Sequence, residues 1–136
     1  MNQRTLKTLI TAVLVLGLLL SMCSIAFAQE RMIVSTTSSF VRDSNTKGTA
    51  TVSANSSNPD TPYMKSKITL QEAPLGTKNF VDSNVAPKTK TTYYSSIIHS
   101  ASFTISTSKE YRVKIEITDN TNGTDNTVTL YENLQE

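Results

Sequence analysis

Apolar residues fall on every second position through residues 103–117, FTISTSKEYRVKIEI: Phe103 and Ile105, then Tyr111, Val113, Ile115 and Ile117. Arg112, Lys114 and Glu116 occupy the opposite parity. A period of two marks a strand with one face in a core and the other in water. Residues 47–54 alternate in the same way, with Ala50, Val52 and Ala54 on one face and Thr49, Thr51 and Ser53 on the other. This predicts a half-buried strand whose small inward residues let a bulkier sheet pack close. In residues 63–73, Met64, Ile68 and Leu70 share one parity, with Lys65, Lys67 and Gln71 opposite. Residues 32–41 predict a first strand broken at its serines, and residues 126–134 a last strand with Val128 and Leu130 inward.

The punctuation between these runs is of two kinds. Residues 55–62 hold two prolines, which cannot donate to a ladder, and read as a loop. Residues 74–90 are loop-rich, with 79–81 a short edge strand. The adjacent pair Ile97-Ile98, set among serines, predicts a bend or bulge before a strand over 101–106. Residues 119–126, DNTNGTDN, read as a hairpin loop around the turn pair Asn-Gly. About seven short strands at regular spacing predict an all-β antiparallel sandwich.

The stretch KEYRVKI resembles immunoglobulin-like and fibronectin type III-like domains, which commonly place a tyrosine at the start of the sixth strand. Tyr111 stands at that position, Val113 follows where antibody domains carry their second cysteine, and ASFTIS looks like the fifth strand. The resemblance implies an Ig-like topology in which the tyrosine hydroxyl bonds back to the preceding crossover. Read from the residues alone, the short connection between Ile105 and Tyr111 fits either such a crossover or a plain hairpin. More broadly the chain resembles small secreted Ig-like proteins of Gram-positive bacteria.

The first 28 residues change the picture of where the chain works. Arg4 and Lys7 precede the apolar run LITAVLVLGLLL, and Ala26-Phe27-Ala28 has the small-x-small pattern of a signal peptidase site. Cleavage is expected between Ala28 and Gln29, with residues 1–28 a helical signal peptide and 29–136 a single domain. The rival readings are an uncleaved anchor and lipidation at Cys23, where Met22 stands in place of a small residue. The expected product is secreted and released, touching the membrane only through its signal. Residues 29–136 contain no cysteine, so stability must come from a core, and their length suffices for one domain. They carry 11 basic and 11 acidic residues, which gives nothing to steer the chain toward nucleic acid or anionic lipid. Ser, Thr and Asn supply 15, 18 and 9 of these residues, which suits strands and turns.

Candidate chemistry is sparse. His99 is the one histidine, and Ser100 beside it points to the other face of a strand, so the pair forms no nucleophile and base. Glu110 and Glu116 share a parity but lie about 20 Å apart along an extended strand, too far for a glycosidase pair. Asp119, Asn120, Asn122 and Asp125 offer oxygen ligands of the kind calcium takes, but without EF-hand spacing. The same residues suit a hairpin turn. No cofactor is expected. Tyr63, Tyr93, Tyr94 and Tyr131 are either recognition residues or cross-strand packing. The expected function is a non-catalytic binding or surface-interaction module, whose partner is an extracellular protein or a cell-envelope polymer. The alternatives are a secreted inhibitor or toxin-like effector acting through an exposed loop and, third, a small secreted hydrolase.

Overall fold

The computed structural model describes residues 33–121 and 123–136, in which every regular element is a strand. The expected signal helix, the expected cleavage site at Ala28 and Gln29, and Asn122 lie outside the described residues. The strands are β1 (Ile33–Ser44), β2 (Lys47–Ser56), β3 (Tyr63–Pro74), β4 (Val81–Asp82), β5 (Lys88–Thr92), β6 (Ser96–Thr104), β7 (Lys109–Thr121) and β8 (Thr124–Asn133). They form two antiparallel sheets. One has the order β1-β2-β6; in the other, β3 is flanked by β7 and β8 on one side and by β4 and β5 on the other. Val41 and Gln135 add one parallel bridge, which ties the end of β1 to the chain after β8.

The period-two runs became strands with the predicted faces inward. Ala50, Val52 and Ala54 of β2 meet Met64, Ile68 and Leu70 of β3 and Val113, Ile115 and Ile117 of β7 in one core. Phe40 and Phe103 pack edge to face there, with ring centroids 6.4 Å apart at 85°. A Cβ added at Gly48 would stand 2.9 Å from Phe40 Cε2, so glycine makes room for this ring.

Four elements differ from the expectation. β1 is not broken at its serines, because alternate residues still serve the core: Phe40 is fully buried, and Ser38 hydrogen-bonds Glu132. The irregularities fall instead near its ends, between Ile33 and Ser35 and between Arg42 and Ser44. β6 starts at Ser96 and runs without a bulge in register with β2. Ile97 therefore points inward and Ile98 outward, at 2% and 65% exposure. β5, Lys-Thr-Lys-Thr-Thr, lies in the expected loop. As an edge strand with no apolar residue, it carries no hydrophobic signal. Finally, β7 and β8 consume most of the expected loop over 119–126, pairing as far as Thr121 with Thr124, and Gly123 takes φ +77°. Glycine reaches that conformation without the Cβ clash other residues meet.

Tyr111 occupies the crossover between sheets, since β6 pairs with β2 and β7 with β3 and β8. Its hydroxyl accepts the Ser106 N–H at 3.2 Å and lies 3.3 Å from Ser106 Oγ. The connection between Ile105 and Tyr111 is thus a sheet-switching corner, not a hairpin.

Candidate binding surfaces

The antiparallel register brings the β2–β3, β5–β6 and β7–β8 connections to one end of the sandwich, because Tyr63 pairs with Asn120, Asn120 with Asp125, Met64 with Thr92, and Asn55 with Ser96. Asp119 closes this end from within. Its odd parity in β7 turns it to the core, where it is fully buried. Ser56 Oγ donates to its Oδ2 at 2.5 Å and Thr61 Oγ1 to its Oδ1 at 3.0 Å. A longer contact comes from Thr121 Oγ1 at 3.4 Å. A buried carboxylate is tolerated when such donors replace its water. Ser56 belongs to one sheet, Asp119 to the other and Thr61 to the β2–β3 loop, so this single carboxylate pins all three.

The oxygen-rich set around the hairpin does not converge. Asp119 faces the core, whereas Asn120 and Asp125 are paired on the outer face of the sheet. Asp125 Oδ1 accepts from Asn120 Nδ2 and from the Tyr63 hydroxyl, each at 2.6 Å. These bonds, Asn120 first, hold the Asp125 carboxyl below the usual carboxylate range; the bond to Asp125 in turn raises the Tyr63 phenol. The strand parity of residues 119 and 125 thus puts the two carboxylates on opposite sides of β7 and β8.

His99 is buried in β6, and its Nδ1 lies 3.1 Å from the Oγ of Ser66, a fully buried residue of β3. Burial, with the charge of Lys90 adding to it, lowers the imidazole pKa. Ser100 points outward to Thr51. His99–Ser66 is therefore a polar link between the sheets, like Ser38–Glu132 and Ser56–Asp119.

The charged row of β7 lies on the outer face and its members are paired, Arg112 and Glu116 with neighbouring elements and Lys114 with Glu116 of the same strand. The Arg112 guanidinium sits between two rings, 4.5 Å from the Phe80 centroid and 4.6 Å from that of Tyr131. Its Nε donates to Gln71 Oε1 at 2.7 Å, and Gln71 Nε2 donates to Asp82 at 2.7 Å. Glu116 is paired with Lys114 at 3.1 Å and with Lys67 at 3.5 Å. The bond from Lys114, reinforced by the charges of both lysines, holds its carboxyl low. Glu110 accepts the Gly76 N–H at 3.3 Å. Sequence spacing alone missed the Arg112 stack, since Phe80 and Tyr131 come from distant segments.

At the Tyr111 end, a cleft of about 580 Å³ is lined by Arg42, Lys78, Lys109, Arg112, Glu110 and Glu136, among others. Three of its cations already have partners: Arg42 pairs with Glu136 at 3.0 Å, Lys109 with Glu72 at 2.8 Å, and Arg112 with Gln71. The loop end differs. There Tyr93 and Tyr94 stand side by side, 79% and 76% exposed, in the short connection between β5 and β6. They pack on neither sheet. The backbone is held on both sides of them, by the pairing of Thr92 with Met64 and by the Ser56 N–H to Ser95 O bond at 2.8 Å.

No protein-family model matches the chain, and no curated protein matches it. Among solved structures it is similar to the solution structure of a putative late embryogenesis abundant (LEA) protein, with 14% sequence identity over 93% of this chain and 85% of that one, at a TM-score of 0.45.

Proposed function

We propose that this chain is an exported, non-catalytic binding module of Ig-like architecture that grips an extracellular partner with the loop end of its sandwich. The observation that carries this reading is the pair Tyr93 and Tyr94, the two most exposed large hydrophobic side chains among the described residues. Tyrosine offers much contact area for little lost side-chain entropy, and a tethered backbone lowers the cost of ordering it. Three features support the Ig-like architecture: the strand order, the corner at Tyr111, and the gathering of the β2–β3, β5–β6 and β7–β8 connections at one end. The apolar run and small-x-small site of residues 1–28 support export. The non-catalytic reading is supported by the burial of His99 and Ser66, which leaves that pair without access to a substrate.

The test is binding of purified protein to extracellular and cell-envelope fractions of its source, compared with Tyr93→Ser/Tyr94→Ser. The double variant alters exposed side chains, so its melting temperature should match the wild type while binding falls at least tenfold. Equal binding by the two proteins, or turnover of a substrate panel that His99→Ala abolishes, overturns the reading.

A further inference from the structure

The two outer faces of the sandwich differ in chemistry. The outer face of β3, β7 and β8 is charged, as described above. The outer face of β1, β2 and β6 carries no charged side chain between the Asp43–Lys47 ion pair (3.7 Å) at one end and Asn55 at the other. It consists mainly of hydroxyls, arranged in rungs by the register, with Val41 and Ile98 as exposed aliphatic positions on the two flanking rungs. Thr51 of β2 lies between Ser39 of β1 and Ser100 of β6, with Thr37 and Thr49 on the rungs to either side and Ser102 next along β6. Rungs of this kind repeat at about 4.8 Å across strands and about 6.7 Å along them. Thr49 and Ser102 are hydrogen-bonded at 3.0 Å, and Thr51 and Ser100 at 3.2 Å. Thr49 also donates to Asp43 Oδ2 at 2.6 Å, so the Thr49–Ser102 pair keeps free lone pairs only, whereas the Thr51–Ser100 pair keeps a free donor and free lone pairs with its orientation already fixed. The β6 end of this face, where Ile98 is 65% exposed, is entered from the Tyr93-Tyr94 connection.

We infer that this face and the tyrosine pair together bind a neutral polysaccharide. The inference rests on the binding-module reading above and names the partner's class. A sugar polymer presents hydroxyls that both donate and accept, at a repeating interval, and so does this face. Its pyranose C–H surfaces stack on the electron-rich faces of aromatic rings, which Tyr93 and Tyr94 offer to solvent. No charge stands among the hydroxyl rungs, which suits a neutral chain; Lys90 of β5 reaches the β6 edge, its Nζ donating to Ile98 O at 2.6 Å, and an acidic polymer would be drawn to it and to the other lysines of that sheet.

The test is retention of the purified protein on insoluble cellulose and chitin, with an acidic polysaccharide as a third matrix, at low salt and in 1 M NaCl. The expected result is retention on a neutral matrix, unchanged by salt. Ser100→Lys/Ser102→Lys, at exposed positions of an edge strand, should weaken it at least tenfold, as should Tyr93→Ser/Tyr94→Ser, while Lys114→Ala on the opposite sheet should leave it unchanged. Circular dichroism of each variant checks that it is folded. Retention only on the acidic matrix and only at low salt overturns the inference. So does neutral-matrix retention that the Ser100/Ser102 variant leaves intact. A dimer in sedimentation that Ser100→Lys/Ser102→Lys dissociates assigns the face to a second copy and likewise overturns it. If no neutral matrix retains the protein but envelope fractions bind it in a Tyr93/Tyr94-dependent way, the polysaccharide inference fails and the binding-module reading survives; failure of both assays ends both.

Discussion

Replacing Asp119 by alanine removes the acceptor that two well-formed hydroxyl bonds share, from Ser56 at 2.5 Å and Thr61 at 3.0 Å. The Thr121 contact, at 3.4 Å, is too long to count for much. Hydrogen bonds to a charged group contribute about 1.5–3 kcal/mol each. Two effects reduce the sum. The substitution relieves the desolvation of a buried carboxylate, and Ser56 and Thr61, already 3.0 Å apart, can still bond each other. The net cost of Asp119→Ala should be about 2–4 kcal/mol, which for a domain of this size is a fall of about 10–25 °C in melting temperature. Asp119→Asn keeps one acceptor oxygen and should cost about half as much. The triple variant Ser56→Ala/Thr61→Val/Asp119→Leu, which removes the carboxylate together with its two main donors and costs only the Asn58 N–H and the Thr121 hydroxyl a partner, should regain part of the lost stability. Urea denaturation followed by circular dichroism measures all three. Asp119→Ala within about 0.5 kcal/mol of the wild type, or a triple variant less stable than the single one, would refute the pinning role.

Four further outcomes follow from the same structure. Tyr111→Phe should cost about 1 kcal/mol through the lost bond to the Ser106 N–H, seen as a lower urea midpoint at constant m-value; an unchanged midpoint would deny the corner any energetic weight. Gly48→Ala should cost about 1–3 kcal/mol, because its Cβ must displace the buried Phe40 ring, and a neutral melting curve would show that the ring yields freely. His99 has a lowered imidazole pKa, so below about pH 6.5 the unfolded chain binds the proton more readily than the folded one. Stability from this group is therefore complete above that pH and declines as pH falls toward the folded value. His99→Gln should flatten the pH 5–7 stability profile, and an unaltered slope would assign the effect elsewhere. A chelator should leave the melting temperature unchanged, because Asp119 and Asp125 face opposite sides of the sheet; a drop of several degrees would reveal a cation held by other groups.

The fold was legible wherever burial imposed a period. The apolar inward residues of β2 and β7, and Met64, Ile68 and Leu70 of β3, were readable from their parity, because a one-residue slip would turn each of these strands inside out. β5 was not legible, since Lys88–Thr92 has no apolar residue and pairs only with β3. The straight run of β6 was obscured because Ile97 and Ile98 break the alternation, although the only consequence is one exposed isoleucine. Site geometry was less accessible still. Asp119 looked like a loop residue among Asn and Thr, and only the length of β7 turned it inward. Ser66 and His99 are 33 residues apart in the chain and meet only because their strands lie in facing sheets. The exposure of Tyr93 and Tyr94 depended on where β5 ended, a boundary without a hydrophobic signal.

The charged row on β7 illustrates why surface charge is a poor guide to a working surface. Arg112 is stacked between two rings and bonded to Gln71, and Glu116 is bracketed by two lysines. A ligand recruiting either would have to displace a partner whose interaction is already made, gaining only the difference. Exposed pairs of this kind contribute little stability, but they hold the side chains in place. The hydroxyl rungs of the other sheet and the tyrosines at the loop end are the reverse case. Some hydroxyl bonds there are already made, Thr51 with Ser100 and Thr49 with Ser102 and Asp43, but the remaining donor, the lone pairs and the ring faces are positioned and open, and for these a partner competes with water. The proposed binding role therefore falls to the less conspicuous sheet, and the mixed charges of Arg112, Lys114 and Glu116 serve the fold.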